Sequence, residues 1–189
     1  MKKSTIVLIA VIAVVMLIIW AIGTRNSLVS KEEEVELAAS QIQTQLQRRN
    51  DLIPNLVATV KGYAAHEEEV YTAIADARAK LSGAIENDDV GKISEANAEL
   101  DAALSRLLVI VENYPELKAN ENFVALQDEL AGTENRINKA RQDYNEKVAS
   151  YNKMVRKFPQ NIIANMCGLE EAEYFEASQG AENVPDVEF

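Results

Sequence analysis

The chain has 189 residues and a formal net charge of −11, which excludes nucleic acid as an expected partner because phosphate binding draws on clustered Lys and Arg. Its 48% hydrophobic content excludes a disordered chain, and only seven Gly and four Pro disfavour a fold of many short strands. A single cysteine, Cys167, and a single histidine, His66, exclude a disulfide framework and a thiolate- or imidazole-clustered metal site, so neither metal nor cofactor is expected.

The first element is a membrane span. Ser4 through Thr24 carries no charge, and Ile6 through Ile22 is apolar throughout. As a helix this stretch is roughly 30 Å long, which matches a hydrocarbon core. Lys2 and Lys3 flank it on one side and Arg25 on the other, with Trp20 near the far end. Two alternatives are a cleaved signal peptide, for which Ala21-Ile22-Gly23 is a passable site, and a buried core helix. The apolar run is longer than a signal core, and nothing downstream resembles its cover. Basic residues are balanced across the span, so sidedness is weakly defined; the lean is to a cytoplasmic N-terminus and an extracytoplasmic main domain.

The rest reads as four long amphipathic helices. Helix one is expected over 26–50, striped by Leu28, Val35, Ala39, Ile42 and Leu46. Helix two is expected over 52–81, with Ile53, Leu56, Val60, Tyr63, Val70, Ile74, Ala77 and Leu81 on its stripe. Asp51 and Pro54 supply a cap and an N-terminal proline for it, although Pro54 is also compatible with a kink in one longer helix. Helix three is expected over 89–113, striped by Ile93, Leu100, Leu104, Leu107 and Val111. Tyr114-Pro115 ends it, because proline disfavours the helical region for the residue before it.

Helix four is expected over 120–157, with a stripe from Phe123 through Ile137, Tyr144 and Val148 to Phe158. Its mean step of about 3.5 implies left-handed supercoiling, with one stutter around Tyr144. Short loops between such helices give antiparallel neighbours. The expected fold is all-α: an N-terminal transmembrane helix followed by a long, left-handed twisted antiparallel four-helix bundle. The expected division is an anchor over 1–25, a bundle over 26–160 and an acidic C-terminal tail over 161–189.

Two charges interrupt apolar stripes. Arg49 continues the stripe of helix one, and Glu67 falls between Tyr63 and Val70. A buried charge is costly unless paired, so each calls for a partner. A layer count for antiparallel helices sets Glu67 near Arg106 and Gln127, and sets Glu134 and Arg141 beside Glu32, Glu33 and Glu34. Such groups form either a layer that fixes helix register or a surface that binds a partner. His66 beside Glu67, Glu68 and Glu69 lacks the Glu-x-x-His repeat of di-metal bundles. No nucleophile has an adjacent base, and no phosphate loop is present in the sequence.

The run from Gln41 through Arg48-Arg49-Asn50-Asp51-Leu52-Ile53-Pro54-Asn55-Leu56-Val57 resembles the signature of the LemA family of bacterial membrane proteins. The likeness continues at Lys61-Gly62-Tyr63-Ala64, His66-Glu67, Glu112-Asn113-Tyr114-Pro115-Glu116-Leu117 and Leu126-Gln127. It resumes at Thr133-Glu134-Asn135-Arg136-Ile137, Ala140-Arg141, Tyr144-Asn145, Tyr151-Asn152, Phe158-Pro159 and Tyr174-Phe175. Ala39 departs from it, where many relatives carry Trp. The resemblance implies one N-terminal membrane helix and a long twisted four-helix bundle; it does not imply an enzyme, since the family has no established biochemical activity, and no enzyme is expected. Residues matching its motifs (Arg49, Asp51, Asn55, Glu67, Glu134, Arg136 and Arg141) mark a shared surface or a shared internal network.

The expected function is a membrane-anchored protein-interaction module, attached to the bilayer through residues 4–24 and meeting a membrane or envelope protein not yet identified. The alternative is a structural envelope protein that associates with copies of itself.

Overall fold

In a computed structural model, residues 3–175 are described, and all six of their helices are α. The first, α1, spans Lys3–Lys61 and carries Pro54 inside it. The expected break at Asn50–Pro54 is therefore absent, and the alternative of one longer helix is the one adopted. Proline removes one helical hydrogen bond, a cost that packing can offset. Here Arg49, Asn50, Ile53 and Leu56 are all buried on the inward face around Pro54, which itself faces out.

Helix α1 ends instead at Lys61. Tyr63 and Ala64 both donate their N–H to the Val60 carbonyl at 2.9 Å, closing a turn through Gly62. The Tyr71 hydroxyl donates to the Ala64 carbonyl at 2.7 Å and pins the turn against α2, Glu68–Glu86. Tyr63, expected on a buried stripe, is therefore a turn residue and 39% exposed. Helix α3 is Val90–Val111, capped by Asp89, whose side chain accepts from the Lys92 N–H at 3.0 Å. A short α4, Pro115–Lys118, was not expected; it buries Leu117. Asn120 then accepts from the Phe123 N–H at 3.1 Å and starts α5, Glu121–Arg156. A further unexpected helix, α6, is Gln160–Cys167, closed by Gly168 at a left-handed φ of 70°. Residues 176–189 of the expected tail lie outside the described residues.

The chain forms two compact units. One comprises Met1–Ala39 with Asp143–Tyr174. In it α1 and α5 pair antiparallel: Lys147 Nζ donates to Glu34 Oε2 at 3.0 Å, and Tyr151, further along α5, senses Glu32, further back along α1. Leu28, Val35, Val148, Tyr151 and Val155 fill the seam. Asn152, 1% exposed, holds Ala172 by a two-way clamp: its amide donates to the Ala172 carbonyl and accepts from the Ala172 N–H, both at 2.8 Å.

The other unit comprises Ser40–Gln142 with Phe175–Phe189. It packs the end of α1, all of α2 and α3, and the start of α5. Its core includes Leu46, Ile53, Ile74, Leu81, Leu100, Leu107, Phe123 and Ile137, each less than 2% exposed. Full burial of each such side chain contributes about 1.5–3 kcal/mol.

Candidate functional site

The second unit has a charged centre. Arg49 is carried inward by the stripe of α1, and its side chain is 8% exposed. Its Nη1 donates to Asn97 Oδ1 at 3.0 Å, and its Nη2 pairs with Asp101. Asn97, fully buried, donates in turn to Asp101 Oδ2 at 3.0 Å. From α5, Glu134 Oε2 lies 3.0 Å from Arg49 Nη1, an ion contact without the alignment of a hydrogen bond. One guanidinium thus ties α1, α3 and α5 together.

Arg141 sits one stage further along α5. Burial pushes its guanidinium below the usual arginine value and Arg49 adds to this, while Glu134 and Asp101 oppose it. It lies 4.7 Å from the centre of the Phe175 ring, a cation–π contact. Arg49, Glu134 and Arg141 are therefore brought together. The layer count set Glu134 and Arg141 beside Glu32–Glu34; instead Glu34 pairs with Lys31 and Lys147, and Glu134 pairs with Arg49.

The other expected residues lie apart from this centre. Asp51 is exposed on α1 and accepts from Gln47 Nε2 at 2.9 Å. Asn55 is exposed on the same helix. Arg136 is exposed and lies 3.6 Å from Glu129, which also pairs with Arg48. Glu67 is half-buried at the N-cap of α2 rather than inside a helix, and it raises the pKa of Tyr71 as a contribution second to burial. The stripe placement of Glu67 is corrected by the turn at 62–67. Asn97 and Asp101 were not anticipated. The signal was present: Ile93, Asn97, Leu100, Leu104, Leu107 and Val111 step by four and three, and Asn97 is the polar member of that stripe.

Next to Arg49 a groove of about 580 Å³ opens between α1, α3 and α5. Its apolar lining includes Leu56, Leu104, Leu108 and Leu130, and its rim carries Asp101, Asp128 and Glu134. Leu108 is 42% exposed. Such a trough suits an apolar side chain accompanied by positive charge. Among the described residues no group of three or more His, Cys, Asp or Glu side chains is placed to hold a metal ion.

Together these features define an all-helical bundle protein whose first helix begins with a segment long and apolar enough to cross a bilayer. The LemA family model matches residues 38–189, and the chain belongs to the LemA family. Protein LemA of Metamycoplasma hominis is 29% identical over 160 residues, covering 84% of this chain and 71% of that protein. Magnetosome protein MamQ 2 of Paramagnetospirillum magneticum is 28% identical over 194 residues, covering 90% and 71%. Magnetosome protein MamQ of Magnetospirillum gryphiswaldense is 26% identical over 190 residues, covering 88% and 70%.

Proposed function

We propose that this protein is a membrane-anchored, non-enzymatic interaction module that presents the α1–α3–α5 groove to a partner helix bearing apolar and basic side chains. The observation that carries the reading is the groove itself: leucines on its floor, three carboxylates on its rim, and an arginine already neutralised by two of them. Apolar burial would supply the affinity, and the rim would select for positive charge. Anchor 1–25, bundle 26–160 and tail 161–189 are the working division. The span is single-pass, crossing the bilayer through residues 4–24. The N-terminus is placed in the cytoplasm and the bundle on the other face, where the partner is a membrane or envelope protein.

A photo-crosslinking side chain at Ser105, on the groove lining, tests this in intact membranes. A discrete adduct at Ser105, absent when the same group replaces exposed Glu95 on α3, is the expected result. Equal labelling at both positions would count against the groove.

Self-assembly is the second reading. The stripe of α5 has a mean step of about 3.5, which favours left-handed supercoiling and pairing with like helices. Sedimentation of the detergent-solubilised chain that stays monomeric at high concentration would exclude it.

A further inference from the structure

Helix α6 faces the wrong way for a helix in water. Ala164 is its buried residue, whereas Ile162 and Met166, one turn apart, are 49% and 78% exposed. Phe158, just before it, is 75% exposed. A large apolar cluster left outside normally has a partner. The level of this cluster within its unit identifies that partner. Lys147 on α5 meets Glu34 on α1. From there Arg156, the end of α5, and Arg25, the end of the uncharged stretch of α1, are the same number of residues away along antiparallel helices. Burial on α1 begins at the same level: Ile22 is 56% exposed, Thr24 is 7% and Leu28 is 0%. The chain emerging from α5 therefore places Phe158, Ile162 and Met166 beside the place where α1 leaves its bare apolar stretch. By the same register exposed Arg25, Lys153 and Lys157 lie near that level, as does Arg156, which is 3.6 Å from Glu171.

We infer that α6 is a second membrane contact: Phe158, Ile162 and Met166 enter the interfacial layer of the bilayer that α1 crosses, with the neighbouring cations at the lipid phosphates. The inference rests on the reading of residues 4–24 as a span. An interfacial helix inserts its apolar face about 5–10 Å into the headgroup and acyl boundary, and anionic lipid strengthens the attachment. A contact of this kind holds α6 to the surface and limits the tilt of the α1–α5 pair on its single span.

The sole tryptophan and the sole cysteine separate the two ideas. The full chain is reconstituted in phosphatidylcholine–phosphatidylglycerol vesicles with a polarity-sensitive dye on exposed Cys167. Trp20 quenching by brominated acyl chains reports the span; dye quenching by a shallow spin-labelled lipid reports α6. Quenching of both, with a blue-shifted dye, is expected. The combined Phe158→Ser, Ile162→Ser and Met166→Ser variant should return the dye to water-like emission while Trp20 stays quenched. A water-like dye beside a quenched Trp20 overturns the inference and leaves the span intact. A dye still quenched in the triple variant also overturns it, because insertion then belongs to the dye. An unquenched Trp20 removes the span reading and the inference with it.

Discussion

Arg49 of α1 donates to Asn97 of α3 at 3.0 Å inside the second unit, and Asn97 has no solvent exposure at all. The pair joins two helices far apart in sequence through a polar bond inside a leucine-rich core. Such a bond is selective for register, since a shift of one residue leaves a guanidinium without acceptors.

Removing Arg49 leaves Asp101 and Glu134 facing each other without their shared cation. Breaking a buried ion pair costs about 3–5 kcal/mol, and these carboxylates are partly solvated, so Arg49→Ala should cost about 3 kcal/mol. Chemical denaturation of the detergent-solubilised chain measures it. A loss under half of that would mean that water already serves the two acids.

Asn97→Leu keeps the branching at Cγ, adds volume, and removes both the acceptor for Arg49 and the donor to Asp101. It should cost about 2 kcal/mol despite being an apolar change in an apolar layer. If the variant is instead more stable than the parent, the polar link is dispensable.

Much of this arrangement was legible in the sequence, because helical period and stripe composition are local properties. The bounds of α3 and α5 lie within two residues of expectation. Pro54 misled the division of α1 because its cost is local, whereas Ile53 and Leu56 offset it through contacts with other helices. Arg49 stood out as a charge on a stripe, but its partners required a three-dimensional register. Helix α6 escaped notice because a helix that carries Ile162 and Met166 on its exposed side lacks the pattern of a water-facing helix.

Tyr71 tests the turn that ends α1. Tyr71→Phe removes the bond to the Ala64 carbonyl and should cost about 1 kcal/mol. Burial, helped by Glu67 and Tyr114, raises the Tyr71 pKa, so the folded state favours the neutral phenol. Its contribution is therefore complete below the ordinary tyrosine value and is lost as pH rises through the folded value. Alkaline denaturation should begin at higher pH in Tyr71→Phe than in the parent, measured relative to each protein's neutral-pH stability; an unchanged onset would place the phenol in solvent.

Asn152 tests the clamp in the first unit. Asn152→Ala leaves the backbone of Ala172 without its two bonds and should cost about 2 kcal/mol. Amide exchange at Ala172 should accelerate selectively, while exchange in α5 around Val148 changes little. Uniform acceleration would show that the clamp supports the whole seam.

Glu34 supplies the acid-side counterpart. Hydrogen bonds from Lys31 and Lys147 lower its pKa, so its contribution is present above the ordinary carboxylate value and is lost as pH falls through the folded value. Glu34→Gln should flatten the fall in stability on the acid side and slightly lower stability at neutral pH. An identical acid slope in the variant would mean that the two lysines are screened by water.

Partner capture by the groove is decided by Leu108→Lys in a chain carrying the photo-crosslinker at Ser105. Leu108 is exposed enough that stability should stay within about 0.5 kcal/mol of the parent. The lysine replaces apolar surface with a positive charge that repels a basic partner. Loss of the adduct with folding intact is the expected result; an adduct of undiminished yield would show that the captured partner is not held in this groove.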